Sequence, residues 1–350
     1  MRARKLTALV LLAALCLSGC GWMDGSYVSV TPHQIGISQM GEASAQPISG
    51  YTQLRSALIR MVDEGSAKGL FSLAEYPREN AMEDMERAVE YVTKVYPIGA
   101  YAVASIDHAF GTNAISVDIT YRCDPHEIAS IRTVRGADGA REAVEAALDA
   151  CEEKLILQIS GYRDTDFSAI VQDYGWRNPD RIVEIPIVTA NTWPDRGDTR
   201  VVELLFVYRT DRETLRAMRE EIQPVFSSAA LYVSGQSSDW TKYSQLYTFL
   251  TERFDYQAAY TVTPAYSLLC RGIGDSKAFS QVYAAMCQRI GLEARSISGT
   301  RDGEKHWWNQ ILLDGAWYHL DLTVSAQFAP MTDGEMTGYE WDPEAYPETK

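Results

Sequence analysis

The chain has 350 residues, 46% of them hydrophobic, and a formal net charge of −15. That length exceeds one average domain, and the apolar fraction suffices for a sizeable core. No run of lysine or arginine is dense enough to track a phosphate backbone, which excludes nucleic acid as a partner, and an anionic membrane surface would repel the folded part.

The first twenty residues read as a targeting segment: a basic "MRARK", an apolar "LTALVLLAALC", then "LSGC". The apolar run is too short to remain as a spanning helix. "LSGC" resembles a bacterial lipobox, which implies that Cys20 is lipidated, becomes the new N-terminus and holds the chain to membrane lipid on the extracytoplasmic face. The alternative is an ordinary secretory signal with an incidental cysteine. Residues 21–49 lack helical periodicity and are rich in Ser, Gly, Gln and Pro, the composition of a tether. Beyond Cys16 and Cys20, the cysteines are Cys123, Cys151, Cys270 and Cys287. They are too scattered for a disulfide framework and are expected to be mostly buried free thiols. No Cys/His spacing suits a metal, and no cofactor is expected.

Residues 50–228 read as an α+β region holding an internal repeat, 50–122 and 140–209. The first copy runs "YTQLRSALIRMVDEG" (helix), "LFSLAEY" (strand), "MEDMERAVEYVTKVYP" (helix), then the strands "YAVASIDHAF" and "AISVDITYR". The second runs "AREAVEAALDACEE", "LILQISGY", "DFSAIVQDYGWRNP", "RIVEIPIVTANTW" and "RVVELLFVYR". Tyr76 recurs as Tyr162, Tyr121-Arg122 as Tyr208-Arg209 and Asp124 as Asp211, at a nearly constant spacing. Two similar α-β-α-β-β lobes are expected, the alternative being one larger α+β domain.

Residues 229–350 form a different unit. "WTKYSQLYTFLTERFDY" is helical, and "RGIGDSKAFSQVYAAMCQRIGL" reads as a glycine turn, a helix and a glycine stop. Phe279, Val282, Tyr283, Met286, Cys287 and Ile290 give that helix one buried stripe. Ser276 or Asp275 would cap its N-terminus. "LEARSISG" is a strand. In "KHWWNQILLDGAWYHLDLT", two strand-like runs flank Asp314-Gly315, a two-residue hairpin signal. Such a turn sets Leu313 opposite Ala316 and Trp308 opposite Asp321, so His306 and Asp321 become diagonal neighbours on one face. His319 is read as surface or strand packing.

On these residues the stretch from about 237 to 325 resembles the transglutaminase-like domains of the papain-like cysteine enzymes. "GIGDSKAFSQVYAAMCQRIGL", "HWWN" and "WYHLDLT" parallel the glycine turn and helix, the His-x-Trp-Asn strand and the Trp-Tyr-x-x-Asp-x-Thr strand of that family. The resemblance implies an α+β fold with a transglutaminase-like C-terminal domain. It carries the family's histidine and aspartate to His306 and Asp321, and its nucleophilic cysteine to Ser276. The family's chemistry needs a thiolate, whose pKa a helix N-terminus lowers; a serine hydroxyl stays protonated there. The leading reading is therefore a lipid-anchored envelope protein, impaired as a cysteine enzyme, that binds a peptide, glycan or protein ligand in the old cleft beside Trp307, Trp308 and Asn309, with Trp317 nearby. The alternative is an active amide hydrolase or acyltransferase using a Ser276–His306–Asp321 triad. A third reading gives the repeated lobes a purely structural or assembly role. Cys270 and Cys287 are weaker candidates for a nucleophile. "GDS" lies too late in the chain, and is followed by the wrong Asp/His spacing, for a GDS-type esterase.

Overall fold

The computed structural model describes residues 45–349 apart from 74, 234, 259, 326 and 347. The leader, Cys20 and nearly all of the expected tether lie outside the described residues. The first lobe contains β1 (Gln46–Pro47), α1 (Tyr51–Asp63), β2 (Lys68–Ser72), α2 (Arg78–Lys94), α3 (Pro97–Ala102), β3 (Val103–Phe110) and β4 (Ala114–Tyr121). After α4 (Pro125–Ala129), the second contains β5 (Arg132–Arg135), α5 (Gly136–Asp149), β6 (Lys154–Ser160), α6 (Phe167–Arg177), β7 (Ile187–Trp193) and β8 (Thr199–Val207). The two sheets have the orders β1-β2-β4-β3 and β5-β6-β8-β7. In each, the short first strand pairs in parallel and the rest are antiparallel. The lobes therefore share one topology.

The repeat has a physical content. Leu54, Ala57, Leu58, Met61 and Val62 form the inner stripe of α1, facing Ala81, Met85, Ala88 and Val92 of α2. The recurring aspartate is a helix cap. The Asp124 carboxylate accepts from the His126 backbone N–H at 2.8 Å, and Asp211 accepts from that of Thr214 at 2.9 Å. A small apolar cluster of Tyr101, Ala102, Ile128, Ile156 and Val201 joins the lobes. Across it, Lys154 bridges Glu127 and Glu203, each at 2.8 Å.

Four boundaries differ from expectation. The folded body begins before residue 50, because Gln46–Pro47 pair with Phe71–Ser72 and Ile48 is buried. The strand expected from Tyr101 starts at Val103, because Pro97 opens a helix through Ala102. The strand expected from Arg181 starts at Ile187. Pro186 lacks an N–H for the ladder, and the Glu184 carboxylate instead receives the backbone N–H groups of Arg209 at 2.6 Å and Thr210 at 3.1 Å. The division at 229 falls inside α7 (Arg212–Tyr232), whose buried Leu215, Ile222, Phe226 and Ala229 belong to the C-terminal core. That apolar face runs unbroken through the expected boundary.

The C-terminal part continues with α8 (Asp239–Thr251), β9 (Asp255–Tyr256), α9 (Pro264–Arg271), β10 (Ile273–Gly274), α10 (Ser276–Arg289), β11 (Ala294–Arg301), β12 (Glu304–Leu313), β13 (Ala316–Leu320) and β14 (Tyr339–Glu340). Its antiparallel sheet has the order β13-β12-β11-β14. Helix α10 is its centre. Rather than one stripe, Ser276 and every residue from Ala278 to Cys287 is buried. The small side chains of Ala278, Ser280, Ala284 and Ala285 let other elements close on the remaining faces. The whole is a mixed α+β fold, as expected. Among the described residues no helix is long and apolar enough to cross a membrane.

Candidate active site

The site is assembled by one hairpin and one helix end. Asp314 and Gly315 both have positive φ, 50° and 78°, as the tight two-residue turn requires. The register follows: Leu313 pairs with Ala316 and Asn309 with Leu320. His306 and Asp321 thereby meet, His306 Nε2 lying 2.6 Å from Asp321 Oδ2. Both are enclosed, at 6% and 2% exposure.

Asp321 is the best-satisfied group in the site. Its Oδ1 accepts the backbone N–H and the hydroxyl of Thr323, both at 2.8 Å. Its Oδ2 accepts from Tyr339 Oη at 2.8 Å as well as from His306. Burial pushes this carboxyl up, but the hydrogen bonds from His306 and Thr323 outweigh it and hold the group below its ordinary value. Tyr339 arrives from β14, with its ring edge-on to His306 at 6.0 Å. Gly299 makes that approach possible. A Cβ there would lie 2.1 Å from the Glu340 carbonyl oxygen and 2.7 Å from the Trp308 ring.

The end of α10 is held against β12. Asp275 is the N-cap, its carboxylate accepting the Ala278 N–H at 2.9 Å. Ser276 is the first helical residue rather than the cap. Its Oγ accepts the backbone N–H of Trp307 at 3.3 Å, and the residue is 4% exposed. Among the described residues no hydrogen bond joins Ser276 to His306. The Asp275 carboxylate also offsets the positive end of the helix, the field that would otherwise stabilise an anion at position 276.

The aromatic residues divide sharply. Trp307 is half-buried, and the Lys277 and Lys305 ammonium groups lie 6.0 and 5.1 Å from its ring. Trp176 of α6, in the second lobe, stands 5.8 Å from the Lys277 ammonium. Trp308 and Asn309, expected in a ligand cleft, are instead fully buried. Trp308 donates from Nε1 to His319 Nδ1 at 2.8 Å, and Asn309 donates from Nδ2 to the Ser280 carbonyl at 2.8 Å. Trp308 alternates with Trp307 along β12 and serves the core, whereas Asn309 lies on the same face as Trp307, further along, and makes the α10 contact. Trp317 stacks on the Arg295 guanidinium at 3.8 Å. His319 is not a surface residue. It is fully buried, with Nε2 2.8 Å from Asp333, and burial holds its pKa down. Because Nδ1 accepts from Trp308, its proton sits on Nε2. Tyr339 and Trp176 were missed by sequence reasoning; Thr323 closes the Trp-Tyr-x-x-Asp-x-Thr motif, and its place two residues after Asp321 makes an Asx turn.

Among the described residues the four cysteines, Cys123, Cys151, Cys270 and Cys287, are unpaired. Cys287 is fully buried and its thiol is pushed well up by burial, so it is no nucleophile. Cys270 is exposed rather than buried, and its thiol too is raised. Among the described residues no group of three or more His, Cys, Asp or Glu side chains could hold a metal ion.

A helix N-terminus is thus set against a His–Asp pair on an antiparallel hairpin within an α+β domain. Residues 227–322 match the transglutaminase-like superfamily, and the chain contains a transglutaminase-like domain. No curated protein matches the chain significantly. Among solved structures it is similar to a transglutaminase ("TGase") at 12% identity, over 57% of this chain and 61% of the other, with a TM-score of 0.28. It is similar to a putative cysteine protease from Cytophaga hutchinsonii at 10% identity, over 44% and 70% of the two chains, with a TM-score of 0.27. It is also similar to calcium-bound LapG of Legionella pneumophila at 11% identity, over 41% and 86%, with a TM-score of 0.28. The chain thus spans 61% of the length of the first of these.

Proposed function

We propose that this chain is an extracytoplasmic lipoprotein, anchored through Cys20, whose transglutaminase-like domain binds a ligand rather than turning one over. In this reading Ser276 stands where the family has its cysteine. The observation that carries it is the state of that serine. It is enclosed, its Oγ accepts a hydrogen bond from the Trp307 backbone, and a carboxylate at Asp275 caps the helix above it. Among the described residues no hydrogen bond links this hydroxyl to a base, and the capping carboxylate opposes an alkoxide there.

A second reading rests on the intact His306–Asp321 pair. If substrate binding turned Ser276 toward His306, the three residues would form a serine-type triad. A fluorophosphonate probe separates the two. The binding reading expects no adduct at Ser276 in the native ectodomain, residues 21–350. An adduct at Ser276 that vanishes in His306→Ala would favour the triad.

A further inference from the structure

A cleft of about 450 Å³ lies between the 179–187 segment of the second lobe and the start of α9 and α10. Its rim carries three of the chain's exposed large apolar side chains, Ile187 (63%), Val207 (56%) and Tyr260 (81%). Contiguous exposed apolar surface of this kind marks an interaction site. Two cations, Arg209 and Lys277, line the same cleft. In a chain of net charge −15, neither forms an ion pair among the described residues. Arg209 lies over the Tyr260 ring, and the Lys277 ammonium lies near the rings of Trp176 and Trp307, with Asp275 and Lys305 the charged groups that act on it.

The acidic groups nearby are occupied elsewhere. Glu184 lines the cleft but its carboxylate accepts the backbone N–H groups of Arg209 and Thr210. Asp275 caps α10. One turn along that helix from Lys277, and so on the same side, is Gln281. It lines the cleft, is 4% exposed, and its amide has no hydrogen-bond partner among the described residues. Its amide is not among the enclosed, unsatisfied side-chain groups, so it opens onto the cleft and can hydrogen-bond a ligand there.

The cleft also begins at the end of a free strand. β7 is the edge of its sheet and starts at Ile187, so its outward backbone groups are open to a further strand. We infer that this cleft binds an extended acidic peptide. The peptide backbone would lie along β7, its apolar side chains would rest on Ile187, Val207 and Tyr260, and an Asp or Glu carboxylate would reach Lys277 and Arg209, with Gln281 holding a neighbouring amide. The inference deepens the binding reading and supplies the ligand class.

The test is a selection from a random displayed-peptide library on the whole ectodomain, in native, Ser276→Ala, Arg209→Gln and Lys277→Gln forms. Enrichment of peptides combining Asp or Glu with apolar residues is expected on the first two forms. A representative peptide should lose affinity about tenfold or more on each cleft variant. Asn in place of its acid should weaken it similarly. Arg209 is exposed, so its variant keeps the test valid if Lys277→Gln fails to fold. No enriched peptide, enrichment without acids, or equal affinity for the cleft variants would overturn the inference. If Ser276 proves to be a working nucleophile, the Ser276→Ala arm still reports the cleft, so the two failures are distinguishable.

Discussion

Replacing Asp321 by asparagine removes a charge and two acceptor positions while keeping the shape. Four donors converge on this carboxylate: the His306 ring, the Tyr339 hydroxyl, and the Thr323 N–H and hydroxyl. An amide turns its one oxygen to either pair and its NH2 toward the other, leaving two donors facing a donor at 2% exposure. Each such buried donor costs about 1–3 kcal/mol, somewhat less where a hydroxyl can rotate away. A net loss of about 3–4 kcal/mol follows from the two unsatisfied donors. The pH dependence has a definite sign. The folded state holds this carboxyl below its ordinary value of 3.8. Its contribution is therefore complete above the unfolded pKa and is lost as pH falls through the lower folded pKa. The gap between native and Asp321→Asn should be widest near pH 7 and shrink below about pH 4. Urea denaturation read by amide protection in β12 and β13 reports this domain alone. A gap under about 1 kcal/mol near neutrality, or one that persists unchanged into acid, would refute the reasoning.

His319 should act in a higher pH window. Burial lowers its pKa from 6.5, so stability is full above that value and declines as pH falls below it, and His319→Gln should flatten this decline in melting temperature. Gly299→Ala should push β14 off the sheet and cost about 1–3 kcal/mol, visible as lost amide protection at residues 339 and 340. Thiol alkylation followed by mass spectrometry should modify Cys270 first, then Cys123, then Cys151, with Cys287 last and only on unfolding.

Much of the site was legible because a two-residue turn leaves no freedom of register. Once Asp314-Gly315 is read as a hairpin, His306 and Asp321 must share a face, and they do. The lobes were legible for a similar reason, since Asp124 and Asp211 perform one local task at one place in each copy. What failed was whatever depends on distant packing. Nothing around Tyr339 announces that its hydroxyl ends on Asp321. The tryptophan pair looked like one surface, but period-two alternation sends Trp308 to the core and leaves Trp307 half-buried. Helix α10 looked amphipathic because its large apolar residues form a stripe. Its run of alanines and serines was the overlooked sign that the other faces are covered too.

The most direct test of the account is turnover by residues 21–350 against a mixed pool of peptides and amine acceptors, in the native, Ser276→Ala and Ser276→Cys forms. The account predicts that the native and Ser276→Ala forms are equally silent. Activity gained in Ser276→Cys and lost again on adding His306→Ala would show a site shaped for a thiolate and lacking only its sulfur. Cleavage or cross-linking by the native protein that disappears in Ser276→Ala would contradict the account and make Ser276 a working nucleophile.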